Sequence, residues 1–137
     1  MSEDHSLSVL AEVRSEFERI RDLPFPVYAS SIDTEGLFLM ANPEAVRFFN
    51  EPDEAELCKK KVRDYYRYPA EREEVLKELA RSEPGEWHKE LTVRLRNNMK
   101  GESQKVRFVS KPFFDERGQL AALLCMVNRV GRKEWFK

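Results

Sequence analysis

The stretch from Ser31 to Asn50 narrows the possible folds of this chain more than any other. A polar turn, Asp33-Thr34-Glu35-Gly36, separates two short apolar runs, and Asn42-Pro43-Glu44-Ala45 then opens Val46-Arg47-Phe48-Phe49. This order predicts strand, tight turn, strand and then a helix whose first turn is written in capping chemistry. Asn42 suits the N-cap, where its side-chain oxygen accepts a backbone N–H. Pro43 suits the first helical position, whose donor has no intrahelical partner, and Glu44 sits at the positive end of the helix dipole. A cap of this kind contributes about 1 kcal/mol, so on capping grounds alone Asn42→Ala loses that amount and Asn42→Asp is nearly neutral.

Upstream, Ser6 to Arg21 has helical spacing, with Leu7, Leu10, Val13 or Arg14, Phe17 and Ile20 on one side and most charges elsewhere. Leu23-Pro24-Phe25-Pro26 ends it, because a proline disfavours helical geometry in the residue before it. This helix is either a lid on its own sheet or an element shared across a dimer. Val27 to Ile32 and Leu37 to Ala41 read as strands. Short helical pieces follow at Pro43 to Phe49, Asp53 to Leu57 and Val62 to Tyr66, and a longer helix at Pro69 to Arg81 buries a stripe of Val75, Leu76 and Leu79.

Pro84-Gly85 resets the chain, and three strands finish it. Trp87 to Asn97 alternates, with Trp87, Lys89, Leu91, Val93 and Leu95 on one face. A turn at Asn97 to Gly101, a strand from Gln104 to Phe114 and a turn at Asp115-Glu116-Arg117-Gly118 lead to Leu120 to Val127. That last strand is apolar on both faces and must be covered on both.

A length of 137 residues suits one domain with one core. Lys and Arg (24) nearly cancel Asp and Glu (25), which gives no general reason to expect nucleic acid as a partner. With no apolar run of spanning length and no signal-peptide pattern, the chain is expected to be cytoplasmic and without a membrane partner. Cys58 and Cys125 lack metal-ligand spacing and read as free thiols, and no metal site is expected. Neither a nucleophile elbow nor a phosphate-binding glycine loop occurs, so the domain is not expected to be an enzyme and no catalytic residue is assigned. His5 and His88 are the only histidines; His88 falls on the polar face of its strand.

The order of these elements, with Asp33, Gly36, Asn42 and Ala45 at their spacing, resembles a PAS domain over roughly residues 23 to 133. The resemblance implies an α+β fold, a five-stranded antiparallel sheet with helices across one concave face, here preceded by an N-terminal amphipathic helix (1–22). The PAS-like domain proper spans 23–130, and 131–137 forms a junction to a possible effector. It implies a sensory or regulatory module of a bacterial signalling protein such as a histidine kinase or diguanylate cyclase. The alternatives are a ligand-free dimerisation or docking module, or a small enzyme on a cone-shaped α+β fold.

Members of the family hold ligands between helices and sheet, which places a pocket among Phe48, Phe49, Val62, Tyr65, Tyr66, Val75, Trp87, Leu91, Phe108 and Met126, with Tyr68 nearby; simple core packing is the plainer account of the same residues. Haem-binding members place an axial His on or near the long helix, and Tyr65 to Arg81 contains none, which disfavours His-ligated haem. Flavin-binding light-oxygen-voltage members carry a reactive Cys where Val62 stands here, with Cys58 four residues too early, which disfavours that photochemistry. The purified protein should therefore be colourless. Redox sensing at Cys58 or Cys125 stays open, since Lys59, Lys60 and Lys61 would lower the pKa of a nearby thiol if they approached it; against this, cysteine is among the most often buried side chains and Cys125 sits in an apolar strand. The family's usual Asp-Ile-Thr junction reads Asn128-Arg129-Val130, and Gly131 weakens a continuous helix outward. A homodimer is expected through Leu7, Leu10, Phe17 and Ile20 of the first helix and Leu123 and Cys125 on the outer face of the last strand, with a small-molecule ligand and an effector domain or partner protein as further partners.

Overall fold

A computed structural model describes residues 2–96 and 103–129, with side chains for 8–96 and 103–128. Helix α1 (Ser2–Ile20) leads into β1 (Val27–Ser31) and β2 (Phe38–Ala41). The helical half follows: α2 (Pro43–Phe48), α3 (Glu54–Leu57), a 3₁₀ turn (Val62–Tyr65) and α4 (Pro69–Ala80). Strands β3 (Leu91–Arg96), β4 (Ser103–Phe114) and β5 (Leu120–Arg129) close the chain. All neighbouring strands are antiparallel, in the order β2-β1-β5-β4-β3.

The central position of β5 explains its composition, since both faces need cover. Leu123, Cys125 and Val127 join the core beneath the helical half, while Ala122, Leu124 and Met126 join a second core beneath α1. That second core buries Val13 and Phe17 of α1 against Val27, Ala29 and Met40, with Val9 and Ile20 packed around it. Full burial of such side chains stabilises by roughly 1.5–3 kcal/mol each.

Two interface expectations change accordingly. Phe17, Leu123 and Cys125 are buried within their own chain, and so do not form an outward dimer face. The inward stripe of α1 is Val9, Val13, Phe17 and Ile20, which leaves Leu10 40% exposed. The side chain of Leu7, the turn at 97–101 and the junction at 130–137 lie outside the described residues.

Asn42 does more than cap α2. Its Oδ1 accepts from Ala45 N (2.9 Å) and Val27 N (3.0 Å), and its Nδ2 donates to the carbonyls of Arg21 (3.0 Å) and Phe25 (2.9 Å). One fully buried amide thus joins the end of the α1–β1 connection, the first strand and α2. The near-neutrality expected for Asn42→Asp does not hold, because a carboxylate cannot donate to two carbonyls.

The turn after β1 is equally specified. Asp33 accepts from Ser31 Oγ, which itself accepts from Leu37 N at 2.9 Å. Gly36 has φ +73°, and a Cβ there would run into the Arg72 guanidinium and Val62. Edge strand β3 is shorter than Trp87 to Asn97. Upstream of Leu91, His88 N still donates to the Ser110 carbonyl of β4 (2.8 Å), while Pro112 of β4 has no N–H to offer a further ladder bond. The outer rim of β3 is also capped: Arg94 N donates to Glu71 Oε1 (2.8 Å), and the Arg94 carbonyl accepts from Arg67 N (2.9 Å).

Candidate ligand site between the long helix and the sheet

Helix α4 lies across the concave face with Arg72, Val75 and Leu79 inward, at i, i+3 and i+7. Alternation along the strands brings Tyr28 of β1, Leu91, Val93 and Leu95 of β3, Val106 and Phe108 of β4, and Cys125 of β5 to the same side. Phe49 and Tyr65 come from the short helical pieces. Their rings pack at 4.8 Å between centroids, with Phe38 5.2 Å from Phe49 and Tyr28 5.5 Å from Phe49, in tilted or edge-to-face pairs. Such pairs add about 0.5–1.5 kcal/mol beyond the area they bury, so this end of the interior is filled by interlocked aromatics.

The other end is more open. Between α4 and β3 a cleft of about 280 Å³ is lined by Val75, Leu91, Val93 and Thr92, with Glu71, Glu74, Glu78 and Lys89 around it. Its floor is the core itself, since Val75 and Val93 are 3% and 2% exposed. Around the rim, Glu74 pairs with Lys77 at 3.7 Å, and Glu78 pairs with Arg81 and approaches His88 Nε2, both at 3.6 Å.

Deeper in, the core carries polar groups. Arg72 is buried, and its guanidinium donates to the carbonyls of Thr34 (2.7 Å) and Ser31 (3.4 Å), which pins α4 to the β1–β2 turn. It lies within electrostatic reach of Tyr28, Tyr66 and Cys125. Ser110 Oγ donates to Cys125 Sγ at 3.5 Å. Burial pushes the Cys125 thiol up to about 12 and holds both tyrosine hydroxyls protonated well above their usual range. Tyr65 is raised too, by burial first and then by its 2.7 Å bond to Glu51 Oε2.

Among the residues expected to line a pocket, Phe49, Val62, Tyr65, Tyr66, Val75 and Phe108 are buried in this core, with Phe48 and Leu91 packed at its margin. Two are elsewhere. Trp87 is 38% exposed beyond the end of β3, beside His88 in a separate open cleft, and Met126 faces α1 on the opposite side of the sheet. Met126 follows Cys125 by one position, and successive strand residues point to opposite faces.

Cys58 is not activated by its lysines. Lys59 and Lys61 pair with Glu56 (3.0 Å) and Glu35 (3.1 Å), and partial burial, then Glu54, pushes the Cys58 thiol up. Arg72 and Ser110 escaped the sequence reading. For Arg72 the available signal is its spacing from Val75 and Leu79, which puts it on the buried stripe of α4.

The described residues hold no cluster of metal-ligating side chains, and no described helix is long and apolar enough to cross a membrane. Comparison with curated proteins finds no match. Solved structures share the fold at low identity. The PAS domain of an HTR-like protein from Haloarcula marismortui is 17% identical over 88% of this chain and 94% of its own, with a TM-score of 0.59. A PAS domain from a two-component sensor histidine kinase is 15% identical over 86% and 96%, at 0.60. The PAS domain, in complex with ethanol, of a LuxR-family transcriptional regulator from Burkholderia thailandensis is 14% identical over 81% and 93%, also at 0.60. The PAS fold model matches residues 15–130, so the chain belongs to the PAS family, whose members are sensory modules of signalling proteins.

Proposed function

We propose that this domain is the sensory module of a larger bacterial signalling system and that it detects a small molecule in the cleft between α4 and β3. The observation that carries this reading is the cleft's construction, an opening of about 280 Å³ whose floor is formed by core residues Val75 and Val93. A ligand settling there touches the main core directly, so occupancy is felt by the whole concave face.

The lining selects the ligand's chemistry. An apolar floor favours an apolar body, and carboxylates at Glu71, Glu74 and Glu78 favour a hydrogen-bond donor or a cationic end. The volume is near the lower limit of about 300 Å³ for ligand sites, which restricts the candidates to small molecules. The ethanol complex of the Burkholderia PAS domain supports a small occupant in this fold.

Native mass spectrometry of protein purified from its own host tests the proposal. The wild type carries a stoichiometric small-molecule adduct, and Leu91→Trp, which fills the cleft from its half-buried rim, removes it. A bare wild-type mass, or an adduct kept by Leu91→Trp, overturns the assignment.

A further inference from the structure

The sheet's outer face is divided. Helix α1 covers β5, β1 and the later part of β4 through Val109 and Phe113, and no described element covers the outward side of β3 and the start of β4. Strand alternation places Thr92, Arg94 and Arg96 of β3 on that side, because Val93 and Leu95 point into the core; Lys105 and Arg107 join them from β4. The surface is strongly basic although the whole chain carries a net charge of −1.

Two details mark the exposed cations of this surface. Arg94 and Lys105 are direct cross-strand partners, both exposed, and like charges facing each other across a ladder are destabilising. Among the described residues neither side chain is held in an ion pair, and Glu71 meets Arg94 at its backbone N. Arg96 Nε is buried and the Arg107 side chain is only 15% exposed, so the cations this surface presents to solvent are Arg94 and Lys105. Arg107 shows what completes such a site: its Nε and Nη2 donate to the two oxygens of Glu90 at 2.9 and 2.8 Å, a bidentate carboxylate pair.

We propose that the outward face of the β3–β4 ribbon docks an acidic segment of a partner protein, with Arg94 and Lys105 receiving its carboxylates. Carboxylate recognition follows from guanidinium geometry and from the Glu90 precedent on the same face. Single-stranded nucleic acid is the less suited anion, because it stacks its bases on aromatic side chains and none of these outward positions is aromatic. The ligand cleft opens on the other side of β3, and Thr92 and the bond from Arg94 N to Glu71 lie where the two meet at the strand's edge.

The test uses the full chain and a fluorescein-labelled polyglutamate peptide, read by fluorescence anisotropy at low and physiological salt. R94Q/K105Q should weaken binding about tenfold, whereas K60Q/R63Q, which removes the same charge on the helical side, should leave it unchanged. Relief of the like-charge pair by K105E should raise the melting temperature while abolishing peptide binding, a combination that general damage to the fold does not produce. No binding by the wild type, equal weakening in both double variants, or tighter and patch-dependent binding of a single-stranded oligouridine would each overturn the proposal.

Discussion

Asn42 shows how much one side chain can hold. Replacing it with Ala strands two backbone N–H groups and two carbonyls in a buried site, and each unsatisfied group costs about 1–3 kcal/mol. Asn42→Ala is therefore expected to lose roughly 3 kcal/mol or more, above the cap value of about 1. Asn42→Asp should be at least as damaging, since a buried carboxylate would face the Arg21 and Phe25 carbonyls. Urea unfolding of the two variants checks both; a neutral Asn42→Asp would reduce the residue to a simple cap. Its capping role was legible because Ala45 is three positions away, whereas Arg21 and Phe25 lie 21 and 17 positions back, beyond any local signature.

Cys125 carries a pH signature at the same scale. Its folded thiol value of about 12 lies above the unfolded value of 9.0, so in that interval the unfolded chain has lost a proton that the folded chain keeps. The thiol's contribution is fully present below pH 9.0 and is lost as pH rises towards about 12. Tyr28 and Tyr66, raised in the same direction, steepen the loss at its alkaline end. Cys125→Ala should flatten the fall in stability across this window, measured by unfolding at a series of pH values, and identical slopes in variant and wild type would contradict the burial account.

Among the elements, α1 and β5 show what periodicity determines. The alternation of β5 revealed two apolar faces, but parity alone does not say which set faces which layer, and Cys125 and Met126 were assigned to the wrong sides. In α1 the helical period was clear while its phase was not: Leu10 lies only about 20° around the helix from Phe17, so spacing alone did not separate the exposed residue from the buried one. Burial of Val13 and Phe17 makes α1 a lid on its own sheet. Phe17→Ala should cost about 3–5 kcal/mol, whereas Leu10→Glu, at an exposed position, should stay within about 0.5 kcal/mol. Thermal unfolding distinguishes them, and a large loss from Leu10→Glu would assign that residue to an interface.

For the whole molecule, the order of strands and helices was legible because each boundary carries its own marker: Pro26 before β1, Gly36 in the turn, Asn42 and Pro43 at α2, and Pro69 at α4. Arg72 and the cleft were not, since both arise from α4 meeting β1 and β3 across long separations. The central claim is that a small molecule binds between α4 and β3 and is read by the core beneath. Amide chemical-shift mapping, with the host-derived ligand titrated into ligand-free protein, tests it most directly. The account predicts shifts concentrated at residues 71–78 and 89–93, extending to Phe108 and Cys125, and absent in Leu91→Trp. Shifts confined to α1 or to the Trp87 and His88 surface would contradict it.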